Sequence, residues 1–475
     1  MTSCDPQASN LDPENWEDFR KVAHDLLDQC INHLSEAREH PWQPVPEEIR
    51  ASYAIDGSGT DAAELSRRLV KEVLPYATGN THPRFFGWVH GTGLASGLLS
   101  EMVAATMNSN CGGRDHGMSY IERAVVSWCQ QVFGFPETAS GLLVAGTSQA
   151  TVIGLAAARL RALGPELRAQ GQQNNWLTAY AGASVHNATG KAIELLGIGH
   201  NNLRKIPETE AGMDLDILRA RIREDRAAGA HPFAVIGTAG SVDLGRFDDL
   251  NGLALIAKEE DIWLHVDGAF GAWARLADAP WSNLVNGIER ADSLACDFHK
   301  WMYVPYDCGL ILIRDEAIHR ATFAARPSYL AGQTRGLAGG DPWYCDYGID
   351  LSRGSRALKV WTALQHYGPE KLGQAITRNC EQAVLMGETV SNTERMQLVA
   401  PVISNLCVFT ADTLLSAQDQ SRLNMHIVQE LQLAGEVVFS TTLVDEVTCI
   451  RAAIANHRTT RSDITASIAA VARLR

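Results

Sequence analysis

Two residues that could hold a cofactor or substrate follow neighbouring apolar runs of the sequence. Asp267 ends the run IWLHVD, and Lys300 follows the next such run, in DSLACDFHKW. Because ligands bind at the carboxyl ends of the strands in open α/β sheets, we expect both side chains at one sheet edge. A buried carboxylate there needs a cationic partner to offset its desolvation. Taken singly, such an Asp is more often a turn or cap residue and a Lys more often a surface residue.

Two further turns carry side chains suited to anion binding and proton transfer. The segment GLLVAGTSQA puts Thr147 and Ser148 at the start of a predicted helix, where backbone N–H groups and hydroxyls bind anions. An ordinary helix cap explains the same residues. His186 follows the strand-like run TAYAGASV, and an imidazole there can stack on a flat ring and exchange protons near neutral pH. A lone His beyond a strand is more commonly a structural residue.

Short apolar runs alternate with helical stretches from about residue 80 to residue 365. The alternation predicts an α/β fold whose mostly parallel central sheet is flanked by helices. The strands are predicted at 142–145, 234–238, 262–266, 292–296 and 309–313.

Three parts of the chain are predicted: an N-terminal helical segment (1–80), a large domain (81–365) and a small C-terminal α+β domain (366–475). The first helix is expected to start at Asp12-Pro13, and its apolar stripe packs either on its own domain or on another subunit. The segment PWQPVP ends this helix. In the last part we expect a helix at about 369–396 and strands at about 398–410, 437–443 and 447–454.

The composition excludes several classes of function. The net charge is −14, from 41 Lys and Arg against 55 Asp and Glu, which disfavours binding to nucleic acid or to an acidic membrane. No apolar run approaches the roughly 20 residues of a membrane helix, and the first residues do not have the pattern of a signal peptide. The ten cysteines show no CxxC pair and the histidines no HxxxH spacing, so we expect reduced thiols, a cytoplasmic location and no metal site.

The stretch from HPRFFGW (82–88) to SRALKVW (355–361) resembles the group II decarboxylases that depend on pyridoxal 5′-phosphate (PLP), the aromatic-L-amino-acid decarboxylase family. The most specific part is strand-His-Val-Asp followed by Asp-Phe-His-Lys-Trp. The resemblance implies a fold-type I enzyme in which Lys300 forms the Schiff base with PLP and Asp267 pairs with the pyridine nitrogen. A carboxylate there keeps the ring protonated, so that the ring can accept the electrons left when CO₂ departs.

The other cofactor contacts follow from the resemblance by position. It implies that Thr147 and Ser148 hold the phosphate, that His299 contacts it, and that His186 stacks on the ring and transfers protons. Ser241 is expected to reach the ring oxygen or the phosphate. The chain departs from the family here, because it has AGTSQA in the phosphate turn and Ser-Val where relatives usually carry Thr-Thr.

A Gly-rich segment, RPSYLAGQTRGLAGGDPWYCDYG (326–348), is predicted to be a mobile active-site loop. Alignment on SRGSRALK puts Tyr344 where relatives have a loop tyrosine thought to protonate the substrate carbon, which yields an amine. Relatives with Phe there tend to be aldehyde synthases. Tyr347 is the alternative in this register, and both tyrosines could instead pack the loop.

The substrate pocket is expected to contain Trp88, Val89 and His90 from HPRFFGWVHGTG and Asn110 from NSNCGGRDHG. The polar members of this set depart from the more apolar lining of animal aromatic decarboxylases. A pocket with hydrogen-bonding groups discriminates sharply between substrates. The sequence therefore gives only a slight preference for an aromatic substrate.

The leading hypothesis is that the chain decarboxylates an L-amino acid to its amine with PLP as cofactor. A second hypothesis keeps PLP but yields an aldehyde by oxidative deamination, and a third is a non-catalytic PLP-fold binding protein. The family further implies a homodimer with its active site at the subunit interface.

Overall fold

Strands between residues 140 and 313 form a seven-stranded sheet in this computed structural model, which describes residues 11–55, 57–325 and 332–475. The strands of these ranges are, in chain order, β1 (Ser140–Val144), β2 (Leu177–Gly182), β3 (Leu203–Ile206), β4 (Glu208–Thr209), β5 (Gly212–Met213), β6 (His231–Thr238), β7 (Trp263–Asp267), β8 (Ser293–Asp297), β9 (Gly309–Ile313), β10 (Gln397–Leu398), β11 (Leu406–Thr410), β12 (Ser440–Val444) and β13 (Val447–Ala453).

The helices pack around this sheet and also form much of the N-terminal and C-terminal segments. They are α1 (Trp16–Ser35), α2 (Glu47–Ser52), α3 (Ala62–Arg68), α4 (Ser96–Met107), α5 (Gly117–Phe133), α6 (Thr147–Leu163), α7 (Leu167–Gln170), α8 (Asn187–Leu195), α9 (Leu215–Ala227), α10 (Leu250–Glu259), α11 (Glu316–Phe323), α12 (Ala357–Ser391), α13 (Ala417–Leu433) and α14 (Arg461–Leu474). Within the described ranges, no helix is both long and apolar enough to cross a membrane.

The central sheet has the strand order β1-β9-β8-β7-β6-β2-β3. Only β9 runs against its neighbours among the described strands of this sheet, so the predicted mostly parallel α/β fold is confirmed. The five predicted strands correspond to β1, β6, β7, β8 and β9. Strand β3 was not predicted, because it is a short edge strand with charged residues and no apolar run.

Both faces of the sheet are buried, which explains why its strands are continuous apolar runs. Leu310 and Leu312 of β9 belong to one hydrophobic core, whereas Ile311 and Ile313 belong to the core on the other face. Successive side chains of a strand point to opposite faces, so a strand covered on both sides is mostly apolar along its whole length. The few polar side chains inside these strands are buried, as His265 is where it hydrogen-bonds to Ser293 at 2.8 Å, so polar groups that can contact a ligand lie at the strand ends.

The C-terminal part has its own antiparallel sheet, in the order β10-β11-β13-β12. Helix α12 runs across the predicted domain boundary at 365/366 and kinks at Gly368, where φ is +73° and Pro369 follows. The Gly-Pro pair was interpreted as a helix start, but helix lies on both sides of it. Phe86, from the predicted large domain, packs in the C-terminal core, and its N–H donates to the Val438 carbonyl.

Helix α1 has no buried residue in the single chain. It begins at Trp16, because the Asn15 side chain accepts hydrogen bonds from the N–H groups of Glu17 and Asp18. The start predicted at Asp12 is therefore displaced by a few residues. Trp16 and Phe19 are 59% and 42% exposed, so the apolar stripe is largely uncovered within the chain.

Candidate active site

A cavity of about 400 Å³ opens at the carboxyl ends of the parallel strands. Strands β6, β7 and β8, the starts of helices α6 and α8, and the segment 88–90 all contribute to its wall. The site residues predicted from the sequence that line it are Trp88, Val89, His90, Thr147, Ser148, His186, Ser241, Asp267, His299 and Lys300. The sheet edge therefore brings together groups that are more than 200 positions apart in the chain.

Asp267 is a buried carboxylate at the end of β7. Its Oδ1 accepts the Ala269 N–H at 3.1 Å, and among the described residues no cation lies within ion-pair distance of it. Burial raises the pKa of the Asp267 carboxyl, while the charge on Lys300 acts in the opposite direction. A cation placed directly against the carboxylate favours its ionised form. The group thus fits a protonated ring nitrogen.

Lys300 lies in the turn that follows β8. Its Nζ is 2.9 Å from Oδ2 of Asp297, and its side chain is partly exposed to the cavity. Gly91 packs on this turn, and a Cβ at that position would overlap the carbonyl oxygens of His299 and Lys300. The pocket segment 88–90 is consequently held against the lysine by a contact that only glycine permits.

Helix α6 presents its N-terminus to the cavity. Thr147 is its first residue, and the Thr147 N–H donates to Oδ1 of Asp297 at 2.7 Å. Thr147 Oγ1 is buried and has no hydrogen-bond partner among the described residues. A buried hydroxyl without a partner is costly, and helix N-termini attract anions. This turn therefore fits a phosphate group.

Two histidines of the cavity have defined tautomers in their neutral forms. Nδ1 of His186 accepts the Ala188 N–H at 3.2 Å, and Nδ1 of His299 accepts the Cys308 N–H at 3.0 Å. Each neutral ring then carries its proton on Nε2. Burial lowers the pKa of His299, although the nearby Asp297 raises it. Both residues can donate a hydrogen bond from Nε2.

Ser241 lines the cavity, but its hydroxyl is used within its own turn. Its Oγ accepts the Arg246 N–H at 3.0 Å. Since a hydroxyl has one proton to donate and two lone pairs, the O–H remains able to donate toward the cavity. The predicted contact with the cofactor is therefore compatible with the geometry.

Aromatic rings form one wall of the cavity. The His90 ring stacks on Phe85 (5.7 Å between centroids) and on Trp88 (5.6 Å), and lies edge-on to Tyr306 (6.0 Å). Burial lowers the pKa of His90, and the charge on Lys300 adds to the effect. Neutral His90 extends the aromatic surface. Trp88 has a left-handed backbone (φ +51°), uncommon for a large residue.

Sequence reasoning missed Arg451 of β13, which packs against this wall. The guanidinium donates to the carbonyls of Val242 (2.6 Å) and Trp88 (3.1 Å), and both of these residues line the cavity. It also missed Asp297, although that residue stands three positions before Lys300 in the most specific motif. A carboxylate ending a strand beside a candidate lysine was the available signal.

Two predicted site residues, Asn110 and Tyr344, do not line the cavity of this chain. The Asn110 side chain joins two backbone segments, because its Oδ1 accepts the backbone N–H groups of Gly112 (2.9 Å) and Arg353 (3.2 Å). Tyr344 is 4% exposed and packs against Arg353, whose guanidinium lies 5.3 Å from the ring centroid. Burial raises the pKa of Tyr344 well above its ordinary value. Residues 326–331 of the predicted loop lie outside the described residues.

The ion pair of Arg353 and Glu122 is buried beneath Tyr344. Both side chains are 1% exposed and 2.7 Å apart, and Glu122 also accepts the Leu143 N–H at 3.0 Å. We expect Glu122→Gln to lower the free energy of unfolding by about 3 kcal/mol or more, because it leaves a buried guanidinium without its counter-charge. Urea unfolding followed by tryptophan fluorescence measures the effect.

Glu47→Gln is the matched control for this prediction, since Glu47 forms an exposed ion pair with Arg50. Exposed ion pairs contribute little to the free energy of unfolding, so this variant should unfold at the same urea concentration as the unmodified protein. Equal stability of the two variants would contradict the role assigned to the buried pair.

The chain matches the conserved domain of the pyridoxal-dependent decarboxylases over residues 50–412. It is 30% identical to an aromatic-L-amino-acid decarboxylase of Bacillus atrophaeus, over 94% of this chain and 93% of that protein. A 4-hydroxyphenylacetaldehyde synthase of Rhodiola rosea is 27% identical, over 82% of this chain and 80% of the synthase. The crystal structure of Catharanthus roseus tryptophan decarboxylase in complex with L-tryptophan superimposes with a TM-score of 0.86 at 25% identity, covering 98% of this chain and 99% of that one. The chain therefore belongs to the group II pyridoxal-dependent amino-acid decarboxylases, and its cofactor is PLP.

Proposed function

We propose that this enzyme converts an aromatic L-amino acid into the corresponding amine and CO₂. The observation that carries the proposal is the single cavity that combines an anion site, a buried carboxylate, a lysine and an aromatic wall. The carboxylate and the lysine suit PLP chemistry in general. The aromatic wall is the feature that bears on the substrate.

In this proposal each cavity residue has a distinct task toward the cofactor. Thr147, Ser148 and His299 receive the phosphate, and Asp267 lies against the pyridine nitrogen. Lys300 holds the cofactor covalently and later releases the product. When bound, PLP supplies a protonated ring that accepts the electron pair left on the substrate as CO₂ departs. Asp267 keeps that ring protonated, because its buried charge is strongly stabilised by an adjacent cation.

Proton delivery to the substrate carbon is proposed for His186 or Tyr344. His186 is in the cavity and carries its neutral-form proton on Nε2, as the hydrogen bond from Ala188 to Nδ1 requires. Tyr344 is outside this chain's cavity, and its hydroxyl donates to no described residue. To reach the reacting carbon, the Tyr344 segment has to move or serve the cavity of a second subunit.

The preference for an aromatic substrate rests on Trp88, His90 and Tyr306, which line the cavity, with Phe85 packed behind His90. Their rings form a continuous cluster, with centroids 5.6–6.3 Å apart between neighbours. Aromatic side chains bind favourably to such walls in offset or edge-on arrangements. The same preference is supported by two relatives: the B. atrophaeus protein is named an aromatic-L-amino-acid decarboxylase, and the C. roseus protein is named a tryptophan decarboxylase.

The test is a substrate panel on the purified holoenzyme, with products identified by mass spectrometry. The panel contains L-tryptophan, L-tyrosine, L-phenylalanine and L-DOPA, with L-glutamate and L-leucine for comparison. We expect an amine from at least one aromatic substrate, with kcat/KM about 100-fold or more above that for L-glutamate. Faster turnover of L-glutamate or L-leucine would overturn the aromatic assignment but leave the decarboxylase assignment intact.

A second candidate function is decarboxylation with oxidative deamination to an aldehyde. Two observations favour it: Tyr344 lies away from the cavity, and the R. rosea relative is named an aldehyde synthase. The two functions differ in stoichiometry, because the aldehyde route consumes O₂ and releases ammonia. An oxygen electrode and an ammonia assay run beside the substrate panel separate them.

Tyr344→Phe is the variant that bears most directly on the product. We expect it to raise the aldehyde fraction at the expense of the amine, since loss of the phenol slows protonation of the substrate carbon and leaves it open to O₂. Tyr347→Phe is the matched control, because Tyr347 is a neighbouring buried tyrosine whose hydroxyl donates to Glu316. An unchanged amine yield in Tyr344→Phe would leave His186 as the proton donor.

We further propose a cytoplasmic homodimer. The support is the uncovered apolar stripe of α1, with Trp16, Phe19 and Ile31 all more than 40% exposed in the single chain. Light scattering on the purified protein tests the assembly, and a mass of one chain would contradict it.

A further inference from the structure

One carboxylate, Asp297, lies where the anion site and the lysine meet. It ends β8, and its side chain is 3% exposed. Its Oδ1 accepts the Thr147 N–H at 2.7 Å, while Oδ2 lies 2.9 Å from Lys300 Nζ and 3.6 Å from His299 Nε2. One acidic side chain therefore engages the first N–H of helix α6 and the lysine at the same time.

An acidic group is unexpected in a site that receives a phosphate. The start of α6 offers an N–H and the partnerless buried hydroxyl of Thr147, both of which suit an anion. A phosphate monoester carries between one and two negative charges near neutral pH. Placed beside Asp297, it meets a like charge in buried surroundings, where screening by water is weak.

We propose that Asp297 is an internal counter-anion that competes with the phosphate of PLP. The inference rests on the proposed position of that phosphate at the start of α6. Without cofactor, Asp297 satisfies the Thr147 N–H and pairs with Lys300. With cofactor, the same carboxylate opposes the phosphate and no longer has Lys300 as a free partner. Asp297 thus lowers the affinity of the protein for PLP, relative to the same cavity with a neutral residue at this position.

Asp297→Asn tests the proposal, because the amide keeps an oxygen to accept the Thr147 N–H and removes the charge. The full-length protein is freed of cofactor with hydroxylamine, which releases the aldehyde from the lysine, then dialysed and titrated with pyridoxamine 5′-phosphate and with pyridoxamine. These two ligands differ only in the phosphate, and neither has the aldehyde that reacts with Lys300. The ratio of their dissociation constants isolates the contribution of the phosphate.

We expect Asp297→Asn to increase the preference for the phosphorylated ligand by about tenfold or more. PLP should also leave the variant holoenzyme more slowly in a dilution experiment. If the asparagine variant does not fold, Asp297→Ser, which is smaller and also neutral, is measured in the same way with the same expected direction.

Asp292→Asn is the matched control. It makes the same chemical change just before the other end of β8, where the Asp292 carboxylate accepts the Leu264 N–H at 2.8 Å and does not line the cavity. This control should leave the preference unchanged. An unchanged or smaller preference in Asp297→Asn would overturn the inference while the phosphate position stands. No preference for the phosphorylated ligand in the unmodified protein would overturn the phosphate position itself, and the inference with it.

Discussion

Lys300→Ala is expected to abolish turnover, with a loss of at least about 10³-fold in kcat, and to remove the covalently held cofactor. The reason is that Lys300 is proposed both to hold PLP and to release the product, and a methyl group does neither. Activity and the long-wavelength absorbance of the purified protein report the two losses separately.

Lys300→Arg is the control, since it retains a cation near Asp297 and Asp267 but lacks a nucleophilic amine. Its free energy of unfolding should be higher than that of the alanine variant, and it should be equally inactive. Turnover in either variant above about one hundredth of the original rate would contradict the assignment of Lys300.

Asp267→Asn is expected to lower kcat by about 10- to 10³-fold while the cofactor stays covalently bound. A buried carboxylate beside a protonated ring nitrogen changes the pKa of that nitrogen by about 1–3 units, each equivalent to a tenfold factor. A neutral amide loses this stabilisation. The measurement is kcat together with the cofactor content of the purified variant.

Asp267→Glu is the matched variant, because it restores the charge on a longer side chain. We expect it to recover part of the lost rate, which a purely structural role of the aspartate would not produce. An asparagine variant that keeps more than a tenth of the activity would contradict the pairing of Asp267 with the ring nitrogen.

The sheet and the main site could be predicted because burial leaves a clear pattern in the sequence. Strands β7, β8 and β9 are apolar at nearly every position, so Asp267 and the turn with Lys300 stand out as polar groups at their ends. The resemblance to a known family then gave these residues roles. Helix α12 was recognised only from Pro369 onward, since a Gly-Pro pair ordinarily marks a boundary and not a kink.

The structure places two predicted site residues away from the cavity of this chain, and contacts between distant segments determine both positions. Asn110 appeared suited to a pocket by its polarity, but Gly112 and the backbone of Arg353, 243 positions away, use its oxygen. Tyr344 was placed by alignment, and no pattern in the sequence indicates that it packs over Arg353. Asp297 was overlooked because its main partner, the Thr147 N–H, lies 150 positions earlier in the chain.

The most direct test of the central claim is a peptide map of the holoenzyme after reduction with borohydride. Reduction fixes the cofactor on the lysine that holds it, and mass spectrometry of the digest identifies the peptide. We predict the cofactor mass on the peptide that contains Lys300. The same mass on a different lysine, or on no peptide after PLP has been added, would contradict the active site described for this enzyme.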